Sequence, residues 1–142
     1  MRAATVKRIL LTFWAVWLAV IASTNLFSLL KALALIDRGF VFASQNFDLV
    51  RSFLDTYRAL SGFAVLAFTG VVLWQWCAVY LFLTAHGDRK KQNAAFGAAL
   101  ALFAAFLVAG EFFLRFDFEA IHMRIFIALL VSLLAMHLLP DD

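Results

Sequence analysis

Four ionisable side chains lie close together in sequence around the end of the third apolar run: Glu111, Arg115, His122 and Arg124. Charge is expensive in hydrocarbon, so ionisable groups in apolar runs are the first candidates for chemistry. Glu111 precedes Arg115 by four residues, the favourable order for an ion pair on one helix face. A carboxylate near an imidazole can pass a proton or hold a small polar molecule. The same four groups can instead neutralise one another and clamp the turn between the third and fourth runs. Both readings place them in one polar cluster at the mouth of the fold.

The histidines raise a second kind of chemistry. A b-type haem takes two axial ligands from different helices at one depth. His86 ends the second apolar run and His137 nears the end of the fourth, so they form a candidate pair. The bland alternative is that both lie at the membrane–water interface. Trp14, Trp17, Trp74 and Trp76 offer ring faces on which a haem or quinone could stack, although packing is the default for an apolar ring, and each indole N–H wants an acceptor. His86, His122 and His137 have no metal-ligand spacing. No Gly-rich phosphate loop, nucleophile elbow or HExxH pattern occurs, so no catalytic or metal residue is assigned and an enzyme is not expected. Cys77 reads as a small packing residue, since a thiolate in hydrocarbon is costly. Asn25 and Gln75 read as buried amides that bond across helices.

These residues must be positioned by membrane-crossing elements. Of the 142 residues, 65% are hydrophobic and 15% charged, against about 45–50% and 25% in soluble domains. Too much apolar surface is present for a water-soluble fold of this length, and a lipid bilayer is the partner that fits. Four apolar runs, the third broken by Glu111 and the fourth with His122 and Arg124 at its start, give four spans, about 9–30, 59–85, 94–114 and 121–139, each near or above the ~20 residues needed to cross. Pro140 closes the last. The first run follows Arg2, Lys7 and Arg8 and contains Val20-Ile21-Ala22, a passable cleavage pattern. It continues to Leu30, beyond a signal-peptide core, and so reads as a span. The expected fold is all-α, a single membrane domain over 1–142 built as a four-helix transmembrane bundle.

Lysine and arginine placement sets orientation. Arg2, Lys7, Arg8, Arg89, Lys90 and Lys91 fall on one side, concentrated beside span ends. Lys31, Arg38, Arg51, Arg58, Arg115 and Arg124 fall on the other, diluted by Asp37, Asp48, Asp55, Asp117 and Glu119. The denser set marks the cytoplasm, which puts both termini there. The longest loop then faces the periplasm. Within it, about 46–58, Phe47, Val50, Leu54 and Tyr57 recur at helical spacing opposite Asp48, Arg51, Asp55 and Arg58. This is an amphipathic interfacial helix, with Ser44 or Asn46 as its cap. It either docks a partner or covers the mouth of the bundle. The basic residues cluster at helix ends, so no nucleic-acid footprint is read.

Helices in lipid associate through close packing and polar contacts. Gly97, Ala101, Ala105 and Ala109 make a small-residue ridge along the third span, and Ala15, Ala19 and Ser23 a shorter one along the first. Both are expected to mark intimate helix contacts. The partner helix can belong to this chain, to a second copy or to another membrane protein, and an internal partner is the simplest.

Several short stretches carry a family resemblance: Asn25-Leu26, Phe40-Val41 leading to Asp48, Arg58-Ala59, and Gly110-Glu111-Phe112-Phe113. Together the chain resembles a bacterial family of predicted small integral membrane proteins of unknown function, with four spans and a Gly-Glu-Trp-Phe run before a Trp-rich turn. Here Phe112 replaces the Trp, Arg115-Phe116-Asp117-Phe118 replaces the turn, and Gln75 stands where that family tends to carry an acid. The resemblance implies a four-span fold and a membrane location, and no activity. Missing catalytic motifs, little mass outside the membrane and the small-residue ridges give the expected function: a non-catalytic accessory or assembly subunit packing against a larger inner-membrane complex. The alternatives are a haem- or quinone-binding redox anchor on His86 and His137, and a small proton-coupled carrier on Glu111.

Overall fold

The computed structural model describes residues 2–57 and 61–140. Their regular structure is all helical: α1 (Ala3–Ala32), α2 (Asn46–Thr56), α3 (Ser61–Thr84), α4 (Arg89–Phe112) and α5 (Phe116–Leu138). Four of these are long and apolar enough to cross a membrane, and the short α2 is not. Arg58 and Ala59, expected at the end of the interfacial helix and the start of the second span, lie outside the described residues.

α1 overruns its apolar run at both ends, and α4 and α5 start ahead of theirs, because hydropathy marks hydrocarbon whereas caps mark helix ends. No Gly or Pro interrupts α1, and it starts at Ala3, so Lys7 and Arg8 are helical. At ~1.5 Å per residue it is ~45 Å long, more than a ~30 Å hydrocarbon core. The α4 helix starts at Arg89 because the Asp88 carboxylate accepts the backbone N–H groups of Lys90 at 2.9 Å and Lys91 at 3.2 Å. It ends in a Schellman arrangement, with Arg115 N donating to Gly110 O at 2.8 Å and Leu114 N to Glu111 O at 3.2 Å. That turn requires a left-handed residue, and Leu114 fills it at φ 55°. The end of α1 repeats the pattern, with Leu35 N on Leu30 O, Ala34 N on Lys31 O and Ala34 at φ 57°. Serine and threonine inside the spans return their hydroxyls to their own helix, as Thr69 does to Val65 O at 2.7 Å.

The chain divides into two compact units, Met1–Trp17 with Cys77–Asp142, and Leu18–Trp76. In the first unit, segments of all four long helices meet. The buried face of α4 is Gln92, Ala95, Phe96, Ala99, Leu102 and Phe103. Phe96 meets Phe82 of α3 edge-on at 5.0 Å, and Phe103 meets Trp17 of α1 at 6.1 Å. Trp14 is buried and finds the acceptor its indole needs, donating to Ser132 Oγ of α5 at 3.0 Å. Cys77, expected as a packing residue, is exposed.

In the second unit, α1 presents Leu18, Ala22, Asn25 and Leu29, and α3 presents Ala64, Phe68, Val72 and Gln75. The α2 helix adds Phe47, edge-on to Phe68 at 5.5 Å, and Leu54. Tyr57, expected on the same face, is instead 52% exposed, because it is the C-cap where the helical phase ends. The outer face of α2 carries the Arg51–Asp55 ion pair at 3.7 Å. Ser44 does cap the start of α2 in part, its Oγ accepting Asn46 N–H at 3.3 Å, although it stands one residue before the N-cap position and Asn46 one residue after it. Gln45 holds that place with no side-chain cap bond, and Ser28 Oγ of α1 accepts Phe47 N–H at 3.3 Å.

Candidate functional site

The expected polar cluster around Glu111 does not assemble. His122 turns between Phe103 and Phe106 of α4, at ring-centre distances of 6.1 and 5.0 Å. Its Nδ1 is buried with no hydrogen-bond partner among the described residues. Glu111 and Arg124 are exposed. Arg115 serves as the N-cap of α5. Helical phase explains the separation. Glu111 is five residues beyond Phe106, about 140° around α4 from the ring that holds His122. Arg124 is two residues beyond His122, and residues so spaced do not share a face.

The amides do assemble. Asn25 is 2% exposed and sits at the centre of a buried polar network in the second unit. Its Nδ2 donates to Gln75 Oε1 of α3 at 3.0 Å. Its Oδ1 accepts from Ser44 Oγ and from Asn46 Nδ2, both at 2.8 Å. Ser44 N also donates to Thr24 O at 3.0 Å. One amide thus ties α1 to α3 and to the segment entering α2. Trp74 and Trp76, on either side of Gln75, are exposed.

The ridge on α4 is not covered by the other described helices of its own unit. Gly97, Ala101 and Ala105 are exposed and Ala109 is partly so. A Cβ added at Gly97 would meet nothing within 4 Å. The expected internal partner is therefore absent among the described residues. The inward face uses a second small pair, Ala95 and Ala99, both at 0% exposure, alternating with Phe96, Leu102 and Phe103. Bulky side chains win that face because they bury more area, and the two alanines let neighbouring backbone approach between them. On α1, Ala15 is buried, whereas Ala19 and Ser23 lie at the edge of the packed face and Leu18 and Ala22 take its centre.

His86 and His137 come to one end of the first unit. His86 Nδ1 donates to Leu83 O at 3.2 Å. Arg89 Nη2 donates to His137 Nδ1 at 2.8 Å. Arginine has no acceptor, so His137 Nδ1 holds the lone pair and Nε2 the hydrogen. An axial ligand to haem iron needs a free lone pair, and this arrangement uses the one His137 has. Beside Arg89 lies a cavity of about 380 Å³, lined by Lys7, Arg8, His86, Arg89 and Gln92, with Leu11 and Pro140 among its apolar walls. This cavity was not evident from sequence, since its residues come from three distant stretches. Among the described residues, no group of three His, Cys, Asp or Glu side chains is placed to hold a metal ion.

Four apolar helices, minimal extramembrane structure and polar contacts buried between helices define the chain as a multi-pass helical membrane protein. No family profile, curated protein or solved structure matches it significantly.

Proposed function

We propose that this chain is a non-catalytic accessory or assembly subunit that packs against a larger complex in a bacterial inner membrane. The supporting observation is the exposed Gly97-Ala101-Ala105 ridge on α4, which the other described helices of its unit leave uncovered. A small-residue ridge lets two helix backbones approach closely, and such approach drives association where the hydrophobic effect cannot. Both termini face the cytoplasm in this reading, and α2 lies on the periplasmic side. The N-terminal turns, the α3–α4 turn and Pro140 line one cavity, which agrees with an even number of crossings.

Purification in mild detergent with mass spectrometry of co-migrating proteins tests the proposal. The wild-type chain should carry a membrane partner. Ala101→Leu with Ala105→Leu should release it while leaving the chain's own melting temperature unchanged. A strictly monomeric wild-type chain defeats the reading.

A further inference from the structure

Residues 33–45 join α1 to α2 without forming a helix, and their return leg runs back along α1. Val20, Thr24, Phe27 and Lys31 make one stripe on α1, at i, i+4, i+7 and i+11. The return leg lies on the last part of that stripe. Lys31 Nζ donates to Phe40 O at 3.3 Å. The rings of Phe40 and Phe42 rest on Phe27, at ring-centre distances of 4.9 and 6.1 Å. Ser44 N donates to Thr24 O at 3.0 Å, and Ser44 Oγ donates to Asn25 Oδ1 at 2.8 Å.

Position along α1 converts these contacts into depth. The apolar run of α1 ends at Leu30, so Lys31 marks the water boundary. Phe27 is four residues further in and Thr24 seven, about 6 and 10 Å along the helix axis. A usual tilt of ~20° changes these depths little. The second helix agrees in direction. Asn25 also bonds Gln75, which lies about 20 Å along α3 from Gly62, where the apolar length of that helix begins. Charge follows the same profile. Asp37 and Arg38 adjoin at the far turn of the segment, where Asp37 Oδ1 accepts Gly39 N–H at 2.6 Å. On the return leg Phe40, Val41 and Phe42 are all exposed, Val41 to 96%. Three consecutive exposed apolar residues mark a contact surface instead of a wet loop. Val20, the next residue inward on the stripe, is 49% exposed on the span itself. The patch therefore continues the lipid-facing surface of α1.

We propose that the return leg is a membrane-interface anchor. Val41 and Phe42 are immersed among the first acyl carbons of the leaflet on the α2 side, and Asp37 and Arg38 stay in water. The depth is bounded from both directions. Side chains at the level of Phe27 fall within the ~5–10 Å that interfacial apolar groups reach. Irregular backbone does not face the hydrocarbon centre, because its polar groups have no water there. The bonds to Lys31 and Thr24 hold the leg at this level and satisfy Phe40 O and Ser44 N as it descends. Lipid contact along Val41 and Phe42 then presses Ser44 and Asn46 toward Asn25, so the bilayer supports the buried amide network from outside.

Spin labels on the full chain, in a Cys77→Ala background and in vesicles of phosphatidylcholine with phosphatidylglycerol, test this. The labels are introduced singly by Val41→Cys, Phe42→Cys and Arg38→Cys, with Val20→Cys as the mid-bilayer reference. Power saturation with oxygen, which concentrates in lipid, and with a water-soluble nickel chelate reads the depth of each label. The labels at 41 and 42 should favour oxygen and lie ~5–10 Å below the phosphates. The label at 38 should favour the nickel chelate. Val41 is a surface side chain, so its replacement leaves the fold intact, and the reading at 41 stands even if the Phe42 variant misfolds. The proposal is overturned if the label at 41 is as open to the nickel chelate as the label at 38, which puts the leg in water. It is also overturned if the label at 41 is shielded from both reagents, which means that protein and not lipid covers the patch.

Discussion

Asn25 Nδ2 donates to Gln75 Oε1 at 3.0 Å, joining α1 to α3 through two side chains that are each 2% exposed. The other end of Asn25 accepts from Ser44 and Asn46, so one amide holds three chain segments. Polar bonds between membrane helices contribute on average about 0.6 kcal/mol each, with ~1.7 as an upper value. Asn25→Ala removes three and should cost roughly 2 kcal/mol by that scale. In a double-mutant cycle in bicelles, Asn25→Leu and Gln75→Leu should show positive coupling. Protease access to the 33–45 segment should rise in Asn25→Ala and much less in Gln75→Leu, because only Asn25 bonds Ser44 and Asn46. Equal protection of that segment in wild type and Asn25→Ala would contradict the assigned role.

Leu114 and Ala34 hold left-handed conformations that their Cβ atoms disfavour. A non-glycine residue there costs roughly 1–2 kcal/mol. Glycine relieves this cost but adds freedom to the unfolded chain. Leu114→Gly and Ala34→Gly should each stabilise the protein by about 0.5–1 kcal/mol net. Thermal unfolding of the single variants checks this. A lowered melting temperature for both would show that the lost apolar side chains outweigh the relieved turns.

What the sequence makes legible follows from which physical signal is local. Apolar length marks the four crossings, and α1, α3, α4 and α5 overlie them. The ends of α4 differ from the apolar run because Asp88 caps through its own backbone neighbours, a polar signal that hydropathy ignores. Spacing alone finds the ridge at Gly97, Ala101 and Ala105, yet it does not say which side of the helix faces inward. Ala95 and Ala99 have the same four-residue spacing, and only their alternation with Phe96, Leu102 and Phe103 identifies the core face. The cluster drawn around Glu111 fails for a reason also present in the sequence, since Glu111 is out of phase with Phe106. Asn25 and Gln75 are readable as amides in need of partners, but their pairing across fifty residues is a tertiary fact. The basic cavity is tertiary for the same reason.

Asp88 is the cap that starts α4, accepting from Lys90 N and Lys91 N. Asp88→Ala should destabilise by about 1 kcal/mol, within a usual range of ~0.5–2, and Asp88→Asn by less, because the amide oxygen still accepts. Hydrogen exchange should localise the change to the first turn of α4. Uniformly faster exchange through α4 and α5 would mean that the cap holds the unit as a whole.

The two small-residue faces of α4 give opposite expectations for the same substitution. Ala99 is fully buried against the helices of its own unit, whereas Ala101, two residues on, is exposed. Leucine at 99 adds three carbons to a packed interior and should cost roughly 1–3 kcal/mol through displaced neighbours. Leucine at 101 meets lipid or a partner and should leave the isolated chain's stability within about 0.5 kcal/mol of wild type. Melting curves in one detergent compare the two directly. If Ala101→Leu destabilises the purified monomer as much as Ala99→Leu does, the outward assignment of the ridge is wrong, and with it the basis for a helix partner. If only Ala99→Leu destabilises, the ridge is available for a partner without being needed for the fold, as an accessory subunit requires.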